Sequence, residues 1–176
     1  MENRSVSAIV AVIAAVAIAV SAACAPGKAS PGPKPTAPSL MAPSLSGRAL
    51  SEQQALQAYR SMWAAYAKAG LTANPDDPDL AKYATGDALN TLVKGLTNYR
   101  SAGHILKGDV VNSPSVANPS ASVDPNRVNI VDCIDDTRFL VYVAATGALL
   151  NDVPGGRRST TAVVADAGES TWKVTS

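Results

Sequence analysis

The chain has little charge and few side chains that bind metals. Its 176 residues include 15 Lys or Arg against 14 Asp or Glu, two Cys and one His. Nucleic-acid binding needs a basic surface that neutralises phosphates. No basic run here exceeds the pair Arg157 and Arg158, so binding to DNA or RNA is not expected. A structural zinc site is excluded, because Cys24, Cys133 and His104 do not have the spacing of zinc ligands.

Sequence motifs for other cofactors are also missing. The two acidic clusters lack the alternating spacing of a calcium loop, so we assign turn formation and helix capping to their members, Asp76, Asp77, Asp79, Asp135, Asp136 and Asp152. The segment 154–158, Pro-Gly-Gly-Arg-Arg, has the composition of a phosphate-binding loop, but no helix start follows it, so we interpret it as a connection between strands. The chain has no G-x-S-x-G motif for a nucleophilic serine. We expect no metal and no cofactor.

A long apolar run occupies the beginning of the sequence. Every residue from Val6 to Ala23 is Ala, Val, Ile or Ser, after a short start that carries Arg4. A charged start, an apolar stretch and a small-residue exit are typical of a secretory signal peptide. We therefore expect residues 1–23 to direct export and to take no part in the fold.

The end of this run resembles the lipobox of bacterial lipoproteins. Ala22 and Ala23 precede Cys24, whose thiol would be diacylated, although Ser21 stands where the pattern prefers Leu. The resemblance predicts a lipoprotein anchored through Cys24 to the outer face of the cell membrane. Two alternatives remain, namely cleavage after Ala23 to release a secreted protein, or no cleavage, which leaves an apolar run just long enough to span the bilayer.

The second cysteine has no partner in the chain if Cys24 is acylated. A lone Cys in an apolar strand is usually a small buried hydrophobic residue, so we predict that Cys133 is buried. The alternative is a disulfide between Cys24 and Cys133, which would require the tail to fold back.

A proline-rich segment follows the apolar run. Residues 24–47 contain six of the chain's twelve prolines, namely Pro26, Pro31, Pro33, Pro35, Pro38 and Pro43. This composition predicts an extended tether that reaches on the order of 70 Å at about 3.1 Å per residue. Residues 48–176 are long enough to form one folded domain.

Apolar periodicity predicts three helices in the first half of this domain. The first begins with a capping box at Ser51 and Gln54, with Leu50 packed on Ala55, and ends at Gly70. Its apolar face is Leu56, Tyr59, Met62, Trp63, Tyr66 and Ala67.

The other two helices are bounded by their own caps. Asp77 before Pro78 predicts a short helix that reaches Tyr83, and Thr85 caps a third that ends at Gly103. The apolar face of the third helix is Ala88, Leu89, Leu92, Val93, Leu96 and Tyr99.

Short β-branched runs separated by turn residues follow and predict strands. The runs are 104–111, 127–134, 138–144, 160–167 and 171–175, with a surface loop over 112–126 and a short strand near Val116. The last two runs form a hairpin around Gly168 and Glu169. Helices followed by strands predict an α+β fold in which the helices pack on one face of an antiparallel sheet.

This arrangement resembles the NTF2-like fold, a cone shared by ketosteroid isomerase, SnoaL-type cyclases and many noncatalytic exported proteins. Over residues 51–176 the chain also resembles small actinobacterial secreted lipoproteins with that fold. The residues that carry the resemblance are Tyr59-Arg60-Ser61-Met62-Trp63, Tyr83-Ala84-Thr85-Gly86, Asp132-Cys133-Ile134-Asp135, Thr146-Gly147 and Trp172-Lys173-Val174. The resemblance implies three N-terminal helices on a curved antiparallel sheet and a pocket between the sheet and the long helix.

Two residues are candidates for acid or base chemistry in such a pocket. Asp132 alternates with Ile130 and Ile134, so it is expected to point inward, either as a general base or as the acceptor of a structural hydrogen bond. His104 begins a strand directly after Gly103 and is either a ligand-site residue or an ordinary surface residue.

Aromatic residues of the predicted helices are further candidates for the pocket. Tyr59, Trp63 and Tyr66, together with Tyr99, would line a pocket for an apolar ligand, or belong to the core as in any packed helix.

These features favour a noncatalytic, membrane-tethered exported module that binds an envelope protein or a small apolar ligand. The first alternative is an NTF2-like enzyme of the isomerase or cyclase type, with Asp132 or His104 as general base. The second is an accessory subunit of an envelope transporter. NTF2-like domains often dimerise through the sheet, so a homodimer is compatible with this interpretation.

Overall fold

The computed structural model describes residues 47–117, 124–150 and 155–176, and within them the fold is α+β, as predicted. The helices are α1 (Gly47–Gly70), α2 (Pro78–Tyr83) and α3 (Gly86–Ser101). The strands are β1 (His104–Lys107), β2 (Ser115–Val116), β3 (Arg127–Asp135), β4 (Leu140–Val143), β5 (Arg157–Asp166) and β6 (Trp172–Val174). The predicted signal peptide, Cys24 and most of the tether lie outside the described residues.

The strands form two antiparallel sheets, in the orders β2-β3-β5-β6 and β1-β4. The longest pairing joins β3 to β5, from Arg127 opposite Ala165 to Asp135 opposite Arg157. The predicted hairpin of the last two strands is confirmed, because β5 pairs with β6. In antiparallel pairs, residues directly opposite each other point to the same face, so this register fixes which side chains of β3 and β5 meet.

Helix α1 begins one turn earlier than predicted, at Gly47. Ser51 is therefore inside the helix, and the predicted capping box is wrong. The side-chain oxygen of Gln54, Oε1, instead accepts a hydrogen bond from Trp172 Nε1 at 3.1 Å. Leu50, which the prediction packed on Ala55, is exposed.

The buried face of α1 combines two large residues with several alanines. Tyr59 and Met62 are buried, as predicted. The remaining predicted members are only partly buried: Leu56, Trp63, Tyr66 and Ala67. Most of the face is formed by Ala55, Ala58, Ala65 and Ala69. These small side chains allow the helix to approach the rest of the core closely.

The starts of α2 and α3 differ in how they are capped. Asp77 caps α2 as predicted, because its Oδ1 accepts a hydrogen bond from the amide of Asp79 at 3.0 Å. Thr85 precedes α3 but makes no side-chain capping bond. The amide of Ala88 donates instead to the carbonyl of Thr175 at 3.1 Å, so the end of the chain caps this helix.

The apolar face predicted for α3 packs on the core in full. The helix ends at Ser101, two residues before the predicted stop at Gly103. Gly103 has φ +72°, a left-handed conformation that cannot continue a helix.

The first predicted strand is shorter than expected. Strand β1 ends at Lys107, because Gly108 adopts φ +104° and brings the chain against the carbonyl of Arg138. Val111, the predicted end of this strand, instead makes an isolated bridge to Asp135.

The hydrophobic core contains residues from all three helices and both sheets. Its largest fully buried side chains are Tyr59, Leu80, Leu96, Ile130, Ile134, Val128, Val164 and Val174. Along β3, buried and exposed residues alternate, so that one face of the strand belongs to the core.

Cys133 lies on the other face of β3 and is exposed as a free thiol. The prediction that it is buried is therefore wrong. The physical reason is the period of two along a strand, which sends Cys133 to the opposite face from Asp132 and Ile134.

No helix in the described ranges combines the length and the apolar character needed to cross a membrane.

Candidate functional site

A cavity of about 370 Å³ lies between α1, α3 and the strands. Four aromatic side chains form much of its wall, and Asp136 and Arg158 form a polar part of it. We call this space the main cavity because it is lined by most of the aromatic candidates, although cavities of about 430 and 460 Å³ lie elsewhere in the described residues. It is defined by Trp63, Tyr66, Tyr99, Phe139, Asp136 and Arg158.

A second cavity, of about 340 Å³, shares part of its wall with the main cavity. Tyr59 and Met62 of α1 and Thr160 of β5 line it. Trp63, Thr91 and Leu92 line both spaces. Helix α3 therefore borders both cavities with residues of one turn.

The aromatic wall is a row of rings in contact. Tyr59 and Trp63 meet edge to face with ring centroids 6.4 Å apart, and Trp63 meets Tyr66 in the same manner at 6.1 Å. Tyr66 then contacts Phe139 at 6.1 Å. The spacing of three or four residues along α1 places the first three rings on one side of the helix, where their mutual contacts hold them in place.

Tyr66 is packed closely against α3. A methyl group added at Gly95 would lie 3.0 Å from the Tyr66 hydroxyl, so this glycine leaves room for the ring. Burial raises the pKa of Tyr66 to about 12, and the nearby Tyr99 adds to the effect. The phenol is therefore neutral over the physiological range.

Arg158 and Asp136 form an ion pair in the wall of the main cavity. Arg158 lies opposite Ile134 in the register, so it shares the inner face of the sheet with that buried residue. The Asp136 side chain is 16% exposed and the Arg158 side chain 48%. Asp136 Oδ2 accepts from the guanidinium, while Oδ1 is buried and has no hydrogen-bond partner among the described residues.

A parallel ion pair lies on the outer face. Arg157 Nε donates to Asp135 Oδ2 at 2.9 Å, and neither residue lines the main cavity. Asp135 Oδ1 also accepts from the hydroxyl and the amide of Thr137, which confirms the predicted turn role. The Thr137 hydroxyl and then Arg157 lower the pKa of Asp135 to about 2.

Asp132 is inward, as its alternation with isoleucines indicates, and only 3% exposed. Its Oδ1 accepts a hydrogen bond from the Ser113 amide at 2.7 Å. Three neighbouring buried atoms lack a hydrogen-bond partner among the described residues, namely Asp132 Oδ2, Tyr59 Oη and Trp63 Nε1. These groups still interact electrostatically. Burial raises the pKa of Tyr59 most, the Trp63 indole opposes this, and the charge of Asp132 adds to it.

His104 lies apart from this group. It is the first residue of β1 and pairs with Val143 of β4, in the two-stranded sheet, whereas Asp132 belongs to the four-stranded sheet. His104 lines neither the main nor the second cavity. The four aromatic candidates, by contrast, all line one or both of these cavities.

Sequence reasoning missed the polar part of the main cavity. The sequence predicts a turn at Asp136 and a connecting loop at Arg158, whereas Arg158 belongs to β5. The available signal was the doublet Asp135-Asp136 at the end of one strand and Arg157-Arg158 at the start of a later one. Such doublets predict two ion pairs on opposite faces if the strands are antiparallel neighbours.

Within the three described ranges, no group of His, Cys, Asp or Glu is arranged to hold a metal ion.

Comparison with known proteins gives little further information. No family model matches the chain, and no curated protein does. Among solved structures, the crystal structure of the intermembrane space region of chloroplast protein ARC6 is similar at 16% identity and a TM-score of 0.39. The match covers 76% of this chain and 95% of that one. At this TM-score the similarity supports no conclusion about fold family or function.

Proposed function

We propose that the chain is a noncatalytic binding module that holds a small, largely apolar ligand in the main cavity. The observation that carries this proposal is the cavity itself. Its volume of about 370 Å³ falls in the range of small-molecule sites, and its wall combines four aromatic rings with a polar part that contains Asp136 and Arg158.

The proposal extends to the fold family and to the location of the domain. The element order, with three helices before antiparallel strands, and a cavity between helices and strands support an NTF2-like cone. The apolar run before Cys24 supports export and attachment to the outer face of the cell membrane. The binding module would then be held at the membrane by the proline-rich tether and could pass its ligand to an envelope protein.

A noncatalytic role is favoured by the surroundings of Asp132. One of its oxygens is engaged by Ser113, and its neighbours on the same strand face, Ile130 and Ile134, are buried aliphatic residues. A general base needs an orienting partner and access to the substrate. His104, the other candidate base, lies in the other sheet.

The proposal can be tested by closing the cavities from α3. Thr91 is exposed and lines both cavities, so Thr91→Trp should place an indole in the space without disturbing the core. Thr97→Trp is the matched control, because Thr97 is an exposed threonine of the same helix that lines neither cavity.

The measurement is native mass spectrometry of the mature protein after gentle extraction from its membrane. We expect a small molecule bound to the wild type and to Thr97→Trp, and none bound to Thr91→Trp. Equal retention by all three proteins would show that the ligand lies elsewhere. Absence of any bound molecule, together with no binding of added aromatic compounds, would contradict the proposal.

One observation favours an enzyme of the isomerase or cyclase type as the second candidate. Asp132 Oδ2 is buried without a hydrogen-bond partner among the described residues, and it acts electrostatically on the Tyr59 phenol. If Asp132 were the general base, Asp132→Asn would preserve ligand binding and abolish conversion of the bound molecule. Chemical identity of the ligand before and after incubation with the wild type distinguishes the two functions.

A further inference from the structure

We infer that the main cavity selects a neutral, ring-containing molecule whose hydroxyl or N–H group donates a hydrogen bond to Asp136 Oδ1. This inference rests on the proposed binding function and names the chemical class of its ligand.

The hydrogen-bonding state of Asp136 supplies the first argument. Oδ2 is held by Arg158, whereas Oδ1 is buried with no partner among the described residues. Buried polar atoms are nearly always hydrogen-bonded, so an acceptor left over in a cavity wall indicates a donor supplied by a ligand.

The charges of the wall supply the second argument. The positive charge of Arg158 balances the negative charge of the Asp136 carboxylate in their ion pair. A cationic ligand would approach the guanidinium of Arg158, and an anionic ligand would approach the carboxylate of Asp136. Either charge would also lose its water among aromatic side chains. A neutral donor avoids both costs.

The space beside Asp136 supplies the third argument. A Cβ atom at Gly155 would lie 2.7 Å from Asp136 Oδ1 and 3.0 Å from the Arg158 guanidinium. Gly155 does not have a left-handed φ, so its backbone does not require glycine. Glycine at this position therefore keeps a side chain from pressing on Asp136 Oδ1.

The rings of the wall define the rest of the ligand. Trp63, Tyr66 and Phe139 follow one another at centroid distances near 6 Å, with Tyr99 also in the wall. Such walls favour flat rings, which make edge-to-face or offset contacts with them.

The test compares four probes with the same ring system, namely 2-naphthol, 2-methoxynaphthalene, 2-naphthoate and 2-naphthylmethylammonium. Titration calorimetry of the mature protein at neutral pH measures each dissociation constant. We expect 2-naphthol to bind about tenfold more tightly than the methoxy compound, which has no donor, and more tightly than both ions.

Variants of the two ion pairs, Asp136–Arg158 and Asp135–Arg157, show which carboxylate determines the preference among the probes. Asp136→Asn leaves Arg158 uncompensated, so preference should move from 2-naphthol to 2-naphthoate. Asp135→Asn makes the same change in the ion pair on the outer face and should leave the order of the four probes unaltered. Gly155→Ala should weaken 2-naphthol more than the methoxy compound.

Two results would overturn the inference while leaving the proposed function in place. One is equal affinity for all four probes, and the other is a preference of the wild type for either ion. If none of the probes binds, and the purified protein carries no small molecule, the inference and the proposed function both fail.

Discussion

Asp132 is a polar residue in an otherwise apolar strand face. Because its Oδ1 accepts a bond from the Ser113 amide, the side chain ties the segment before β2 to the sheet. Asp132→Ala removes this acceptor, so the Ser113 amide loses its hydrogen bond inside the protein. We expect the free energy of unfolding to fall by about 1–3 kcal/mol, measured by urea denaturation.

Asn129→Ala serves as the control for Asp132→Ala. Asn129 lies on the same strand and is exposed on the outer face, so its loss should change the stability by no more than about 0.5 kcal/mol. Equal effects of the two substitutions would mean that the Asp132 hydrogen bond contributes nothing to stability.

Tyr66 should ionise late in an alkaline titration. Its neutral form is favoured in the folded protein, where its pKa is raised to about 12 from 10.0. The resulting stabilisation is fully present below pH 10 and is lost as the pH rises through about 12. Ultraviolet absorbance of the phenolates should show a late step that Tyr66→Phe removes and Tyr83→Phe leaves in place.

At the residue scale, the sequence predicts which face of a strand a side chain occupies better than it predicts which residue that side chain binds. Alternation alone places Asp132 on the buried face of β3, and the structure agrees. The same alternation places Cys133 outside, and the prediction of burial failed because it relied on the average behaviour of cysteine. The Asp136–Arg158 pair depends on the register between β3 and β5, which no local pattern specifies.

One end of the β1–β4 pair contains a glycine in close contact with the residues before β4. Gly108 has φ +104°, and a Cβ atom there would overlap the carbonyl oxygen of Arg138. Gly108→Ala should therefore lower the melting temperature well beyond the effect of the backbone conformation alone.

Gly147→Ala separates these two contributions. Gly147 also has a positive φ, of +69°, but nothing lies within 4 Å of its Cβ position. We expect it to cost about 1–2 kcal/mol, the penalty of a left-handed alanine, and Gly108→Ala to cost clearly more. Similar melting temperatures for the two variants would rule out the steric contact with Arg138.

Helix α3 and the last strand depend on each other. The carbonyl of Thr175 accepts from the Ala88 amide, and the amide of Val163 donates to the carbonyl of Ser176 at 2.9 Å. Removing residues 175–176 deletes both bonds and exposes the first turn of α3. We expect a loss of about 1–3 kcal/mol in unfolding free energy, and hydrogen exchange should be fastest in that turn.

Local caps and distant caps explain which element boundaries can be predicted. Asp77 caps α2 through a residue two positions away, so the sequence pattern contains the whole interaction. The cap of α3 comes from Thr175, far along the chain, and Gln54 bonds Trp172 across the fold. The α+β order follows from periodicity, whereas these long-range bonds depend on how the elements are assembled.

At the scale of the whole molecule, attachment to the membrane depends on Cys24. Cys24→Ser should abolish acylation and release the protein into the soluble fraction. Mass spectrometry of the native protein should find a diacylated Cys24 as its first residue. An unmodified Cys24 terminus, or a chain that still begins at Met1, would contradict the lipoprotein prediction.

The position of Trp63 has a consequence for spectroscopy. Tyr59 and Tyr66 lie 6.4 and 6.1 Å from its ring, close enough for excitation absorbed by either phenol to pass to the indole by resonance energy transfer. The only other tryptophan, Trp172, lines neither the main nor the second cavity. Ultraviolet light absorbed along this side of α1 is therefore emitted by a fluorophore in the wall of both cavities. The wavelength of the emission maximum of the unlabelled protein would then shift when a ligand occupies either cavity.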